Sequence, residues 1–446
     1  MNKPTNWAKD TWRKFPRVQQ PDWLDDPALK KAEDALEKLP PLVFAGEVSR
    51  LRQELSLVEK NKAFIIQGGD CAETFSQCTA AVLRENLKVL LQMSVVLTFA
   101  ASKRVVKIGR MAGQYAKPRS NNMETFDGKE IPVYRGDMVN KDTPNLEARK
   151  ANPERILQTY FYSAATLNLL RGYTKGGFAS LDNVHKWNKE FIKNTPQGDK
   201  YEKLAFEIDK NLSFMKAVGL VKNGALDQVD IYTSHEALIL EYEQALTRRD
   251  TLSDKVFDCS AHLLWIGDRT RLSDGAHVEF FRGVNNPVGI KLGPDYDLDD
   301  FLKIIEIINP NNETGKIVII PRFGANKVEK LLPKVVQAVN KEGFNLSFCS
   351  DPMHGNTFKA GNYKTRDFET ILKEITEVNH VLKANNRHLG GIHIETTGLP
   401  VTECLGGLQK INQTTLDSNY ATTCDPRLNA SQSVELAFLL ASKLMR

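Results

Sequence analysis

Four side chains are of the kind that bind transition metals, three of them at or beyond the ends of short apolar runs. Cys71 follows Ala63–Gln67, His354 follows Leu346–Cys349, Glu395 closes Gly391–Ile394, and Asp425 stands in Cys424-Asp-Pro-Arg. A thiolate, an imidazole and two carboxylates suit Mn²⁺, Fe²⁺, Co²⁺ or Zn²⁺ better than Mg²⁺. Each residue alone reads as a packing thiol or a loop contact, and they act together only if their runs become neighbours in space. A second set is cationic: Arg110, Lys117, Arg119, Arg269, Lys291 and Arg322, all at or just past the ends of such runs. Surface Lys and Arg normally stay solvated on helix faces. Gathered where strands converge, they repel one another unless an anion sits among them, and a guanidinium fork matches phosphate or carboxylate. The combined chemistry is a metal beside a pocket for more than one phosphate.

The elements that must position these residues recur along the chain. Ala63–Gln67, Val105–Ile108, Val229–Thr233, His262–Ile266, Val288–Ile290, Ile317–Ile320, Leu346–Cys349 and Gly391–Ile394 are apolar, β-rich and end abruptly in polar or glycine residues. Continuous apolar runs suit parallel strands covered on both faces. Helical patterns at Asp299–Ile308, Asn326–Asn340 and Asp367–Ala384 alternate with them. The reading is α/β: a (β/α)₈ TIM barrel, whose catalytic side chains belong at the C-terminal ends of its strands. Two regions fall outside the repeat. Residues 1–60 form an N-terminal extension for assembly or regulation, with a helix expected at Asp26–Leu39. The catalytic barrel spans 61–446 and carries a helical insertion between strands two and three, at about 121–228. Within it the sequence predicts a hairpin near Pro132-Val-Tyr-Arg135-Gly-Asp and helices at Pro153–Gly172 and Tyr201–Val218.

Bulk properties exclude several classes. A net charge of +5 is small for 446 residues and argues against a nucleic-acid surface, which needs basic residues clustered on one face, while leaving room for a local Lys and Arg cluster in a pocket. No apolar stretch approaches the roughly 20 residues needed to cross a bilayer, and no signal core is visible near Met1, so the expectation is a cytoplasmic protein without membrane or nucleic-acid partners. Six cysteines in so long a chain read as thiols rather than a disulfide scaffold.

Several long stretches resemble the class II (plant-like) 3-deoxy-D-arabino-heptulosonate 7-phosphate (DAHP) synthases. They include Gln67-Gly-Gly-Asp-Cys-Ala-Glu73, Gly109-Arg-Met-Ala-Gly-Gln-Tyr-Ala-Lys-Pro-Arg-Ser120, Trp265-Ile-Gly-Asp-Arg-Thr-Arg271, Asp351-Pro-Met-His-Gly-Asn-Thr357, Gly390-Gly-Ile-His-Ile-Glu395 and Cys424-Asp-Pro-Arg-Leu-Asn429. The similarity runs from about residue 40 onward. It implies an enzyme that joins phosphoenolpyruvate to erythrose 4-phosphate, adds water and releases phosphate, opening the shikimate route to chorismate and the aromatic amino acids. The family's ligands to one divalent ion, Mn²⁺ foremost and otherwise Co²⁺, Fe²⁺ or Zn²⁺, fall on Cys71, His354, Glu395 and Asp425. Its phosphoenolpyruvate contacts fall on Arg110, Arg269, Lys291 and Arg322, and its erythrose 4-phosphate contacts on Lys117, Pro118, Arg119 and Ser120. Lys291, Arg110 and Asp268 are the catalytic candidates, with Lys291 a proton donor because neighbouring cations depress its pKa. Asp268 stands where relatives often carry Glu. The resemblance further implies a homodimer or homotetramer, aromatic amino-acid effectors acting through residues 1–60 and Leu181–Asn223, and a chorismate mutase as an associating partner. The same barrel acting on arabinose 5-phosphate is the nearest alternative, disfavoured by the Lys-Pro-Arg-Ser run. With Cys71 and Asp425 on one ion, Cys424 lies beside Cys71, and the two thiols are expected to form a disulfide when the metal is lost.

Overall fold

The computed structural model describes residues 6–194, 198–218 and 228–444. Eight parallel strands close into a barrel: β1 Ala63–Gly69, β2 Arg104–Arg110, β3 Tyr232–Glu236, β4 Leu263–Ile266, β5 Val288–Leu292, β6 Ile317–Pro321, β7 Ser347–Ser350 and β8 Leu389–Glu395. Each pairs with its sequence neighbours, and β1 pairs with β8 to close the ring. Every residue of β1, β4, β5, β6, β7 and β8 is buried, as strands with both faces covered must be. Alternation divides them. Ile65, Val106, Ile108, Leu263, Trp265, Val318 and Ile320 form one cluster with Leu51, Leu55 and Val58 of the helix Ala45–Glu59. Phe64, Ile66, Leu264, Ile290, Ile319 and Ile392 instead pack in the larger core with the surrounding helices. The helix Ala45–Glu59 therefore caps the barrel interior from the N-terminal side, where its Glu54 pairs with Arg104 at the start of β2.

Register sets up the opposite end. Gly69, the last residue of β1, lies beside Arg110 on β2 and Glu395 on β8. Glu236 lies beside Trp265 across β3 and β4.

Two expectations are corrected. The third strand begins at Tyr232 rather than Val229, because the Val229 amide bonds to the Thr174 carbonyl of a neighbouring helix and the ladder with β2 starts at Ile108↔Tyr232. The polar triplet Ser234-His235-Glu236 thus lies inside β3. The hairpin of the insertion is Met123–Phe126 with Lys129–Pro132, ahead of the expected Pro132–Asp137. Its turn residues Asp127 (φ 47°) and Gly128 (φ 74°) are both left-handed, the conformation a two-residue hairpin turn requires. Helices follow at Glu154–Lys175, Leu181–Asn194 and Glu202–Ala217. Parts of the expected extension (1–5) and of the segments at about 121–228 and 181–223 (195–197 and 219–227) lie outside the described residues. Among the described residues no helix is long and apolar enough to cross a membrane.

Candidate active site

The carboxyl ends of the strands bring three of the four expected ligands into one group. Glu395 ends β8, and Cys71 lies two residues past Gly69 on the adjacent β1. Asp425 arrives on a loop held to the end of β8, with Leu428 N donating to Glu395 O, while Thr396 N, just past β8, donates to Gly69 O and ties β8 to β1. Ligand atoms of Cys71, Glu395 and Asp425 all lie within 4.8 Å of one another. His354 joins through Glu395, with Nε2 2.9 Å from Oε1, while Asp351 holds its Nδ1 at 2.8 Å. A carboxylate behind a histidine fixes ring orientation at metal sites.

This donor set suits a transition ion, and a positive charge already stands among the atoms. Lys117 Nζ is 2.8 Å from Cys71 Sγ, 3.5 Å from an Asp425 oxygen and 4.0 Å from Glu395 Oε1. The charges respond accordingly. Burial opposes ionisation of Glu395, yet His354 and Arg366 hold its carboxyl well below the usual range. Burial likewise opposes Asp425, which Lys117 holds low. Burial pushes the Cys71 thiol up, whereas a hydrogen bond with Cys71 draws Cys424 down to about 7.

Five of the six expected cations, Arg110, Lys117, Arg269, Lys291 and Arg322, line a cavity of about 730 Å³ beside this cluster, together with Pro118, Asp268, His354 and Asp425. Arg110 is 2 % exposed. It donates to Glu395 Oε1 (3.1 Å) and the Asp70 carbonyl (3.2 Å), bonds to the His393 ring, and lies over Trp265 at 5.2 Å. Lys291 shares that indole at 5.8 Å and pairs with Asp351. Burial, assisted by Arg110 and Arg322 and opposed by Asp351, lowers its pKa to about 8. Burial is thus the main cause, rather than the neighbouring cations alone. Asp268 braces other groups: it accepts from Arg322 (2.8 Å), the Gly293 amide (2.8 Å) and Arg271 (3.3 Å). Arg269 donates to Ser120 Oγ at 2.9 Å. Ser120 and Arg119 face an adjoining cavity of about 700 Å³ shared with Gln19 and Arg135.

Sequence reasoning gave no role to several residues that complete this arrangement. Arg366 is fully buried, donates to Glu395 Oε2 at 2.6 Å and to the Pro426 carbonyl, and so ties β8 to the Asp425 loop. It follows a short hairpin strand, Tyr363–Thr365, rather than a barrel strand, so no barrel-end signal pointed there. Asp351 was visible only as a motif letter, yet it links Lys291 to His354. Glu236 lines the cavity from the end of β3; its Oε1 is buried with no hydrogen-bond partner among the described residues, and burial raises its pKa. Trp265, from β4, supplies the apolar face beneath the cations.

A closed parallel barrel with its polar cluster and cationic cavity at the carboxyl ends of the strands defines the class: a (β/α)₈-barrel enzyme. A sequence model of the class-II DAHP synthetase family matches residues 7–441, and the chain belongs to that family. It is 48% identical over 435 residues to a phospho-2-dehydro-3-deoxyheptonate aldolase of Streptomyces coelicolor, covering 97% of this chain and 96% of the relative. It is 45% identical over 452 residues to one of Neurospora crassa, covering 98% and 94%. A solved phospho-2-dehydro-3-deoxyheptonate aldolase of Francisella tularensis superposes with a TM-score of 0.48 at 15% identity, over 93% of this chain and 96% of that one.

Proposed function

We propose that this enzyme condenses phosphoenolpyruvate with erythrose 4-phosphate and water to give DAHP and phosphate, the entry to the shikimate pathway, with one divalent ion held by Cys71, His354, Glu395 and Asp425. One observation carries the reading: a sulfur–carboxylate cluster opens beside a cavity lined by Arg110, Arg269, Lys291 and Arg322. A hydrolase needs no such excess of cations; binding two phosphorylated substrates does.

The bound ion supplies Lewis acidity toward the aldehyde oxygen. Everything else falls to the chain. The guanidinium groups and Lys291 hold the carboxylate and phosphate of phosphoenolpyruvate on the Trp265 face, fixing its C3 toward the aldehyde carbon at near-attack distance. Lys117, Pro118, Arg119 and Ser120 orient the sugar phosphate, the first two from within the cavity and the last two from the adjoining one. Bonding through C3 leaves C2 electron-poor, water adds there, and the C2–O bond to phosphate breaks. Glu236 lines the cavity from the end of β3 and would take the water's proton. Lys291, with a pKa of about 8, holds a proton it can give up near neutrality. Asp268 serves by holding Arg322 in place.

Residues 1–60 and 181–223 would serve assembly as a homodimer or homotetramer and effector binding by aromatic amino acids, and none of their described residues lines the cavity; a chorismate mutase would be an associating partner. A cytoplasmic site of action accords with six free cysteines. The test is a coupled assay. Phosphoenolpyruvate should be consumed only with erythrose 4-phosphate, a chelator should abolish turnover, and Mn²⁺ or Co²⁺ should restore it. Consumption without the aldose, or indifference to chelation, refutes the proposal.

A further inference from the structure

Glu73 has no place in the chemistry above, yet it is a buried carboxylate, 6 % exposed, beside the site. It lies on the loop that carries Cys71 and reaches across to the loop after β2. Its Oε1 accepts the amides of Gly113 (2.9 Å) and Gln114 (2.8 Å), and its Oε2 accepts the amide of Ala112 (3.0 Å). Its own amide donates back to Gln114 O at 2.7 Å. Three consecutive N–H groups converging on one carboxylate form an anion nest, here filled by the protein's own side chain.

The conformation thus held is not one the sequence adopts unaided. Ala112 sits at φ 65°, a left-handed setting that an L-residue with a β-carbon disfavours. On the far side the loop presses on β3: a Cβ at Gly113 would stand 2.2 Å from His235 Nδ1. Gln114 then bonds forward through Nε2 to Ala116 O (3.0 Å) and accepts the Glu236 amide at Oε1 (2.9 Å). The segment is pinned between Glu73 and β3, and it leads directly into Lys117, whose amide donates to Arg135 O at 2.9 Å.

We propose that Glu73 is a positioning residue: its carboxylate, clamped by the amides of Ala112, Gly113 and Gln114, fixes the loop that delivers Lys117 and Arg119 to the sugar phosphate. This rests on the assignment of Lys117–Ser120 to erythrose 4-phosphate. Glu73→Gln keeps the shape but turns an amide NH₂ toward a backbone N–H, so donor meets donor and the nest opens. The effect should be selective, because Arg269, Lys291 and Arg322 stand on other strands and Arg110, within β2, is held by its own contacts to Asp70 O, the His393 ring and Glu395.

The experiment measures steady-state kinetics and melting temperature of the metal-loaded full-length enzyme for Glu73→Gln, Ala112→Gly, the double variant and Lys117→Ala. In Glu73→Gln the KM for erythrose 4-phosphate should rise about tenfold, the equivalent of one lost hydrogen bond to a charged acceptor. The KM for phosphoenolpyruvate should stay within about twofold, since its contacts are untouched. Ala112→Gly alone should change little while the clamp is intact. In the double variant glycine adopts the left-handed setting freely and should recover part of the loss. If Lys117→Ala raises the sugar-phosphate KM and Glu73→Gln does not, the inference is overturned. If Lys117→Ala itself leaves that KM unchanged, the substrate assignment fails instead and this inference with it. A Glu73→Gln enzyme that loses both KM values and its melting temperature together, with no rescue by glycine, marks Glu73 as a general structural residue and also overturns the inference.

Discussion

The pair Lys291–Asp351 gives the most discriminating prediction. Lys291 is buried beneath the cavity, and its pKa of about 8 is the balance of burial, which depresses it, against the Asp351 charge, which supports it. Asp351→Asn removes that charge and keeps the volume. With an effective dielectric of about 20 and a charge separation of about 4 Å, the lost attraction is about 4 kcal/mol, a ceiling of about 3 pKa units. The dipole of the new amide and water entry recover part of this, so a fall of about 1 to 2 units is expected. If protonated Lys291 both binds phosphoenolpyruvate and gives up a proton, kcat/KM declines as pH rises through its pKa. The alkaline limb should then move from near 8 in the parent enzyme to about 7 or below in Asp351→Asn. The assay is kcat/KM for phosphoenolpyruvate between pH 6 and 9.5 at saturating metal and sugar phosphate. An alkaline limb that does not move would refute the role given to Lys291. Stability follows the same linkage. A lysine depressed from 10.5 to about 8 binds fewer protons in the folded than in the unfolded chain between those values. Its cost to stability is therefore full below pH 8 and is relieved as pH rises toward 10.5. Asp351→Asn deepens that cost, and melting curves at pH 7 and 9 should show the variant recovering more than the parent.

Three further outcomes follow from the site. Arg366→Met leaves Glu395 without one of its buried partners and should cost about 3 kcal/mol in stability, with at least a tenfold loss of Mn²⁺ affinity by calorimetry; unchanged values would remove Arg366 from the site. Diamide treatment of chelated enzyme should give a Cys71–Cys424 peptide on non-reducing mapping, absent from Cys424→Ser and from metal-loaded enzyme, since the thiols share a hydrogen bond; any other pairing counts against it. Glu236→Gln should lower kcat about a hundredfold with KM values little changed, as loss of a general base does, and a full-rate variant would exclude proton transfer at that position.

Residue types and local pattern were enough to determine much of this protein. Eight apolar runs marked the barrel strands because parallel strands are buried on both faces and their ends are abrupt. Cys71, Glu395, Arg110, Lys291 and Arg322 stood out because barrel chemistry concentrates at those ends, a local position that needs no coordinates. Val229–Thr233 was misplaced by three residues because an apolar run does not reveal whether its amides pair with a strand or, as at Val229, with a helix carbonyl. Only the tertiary structure decided which charges meet. Cys71 and Asp425 touch across 354 positions of sequence. Lys117 turns in toward the sulfur–carboxylate cluster while Arg119 faces the adjoining cavity, although they are two residues apart. Arg366, Asp351 and Glu73 meet their partners only through ring closure and loop return, where burial makes a charge depend on its partner. Such pairings carry no periodicity and no spacing along the chain, so they exist only once the barrel has closed.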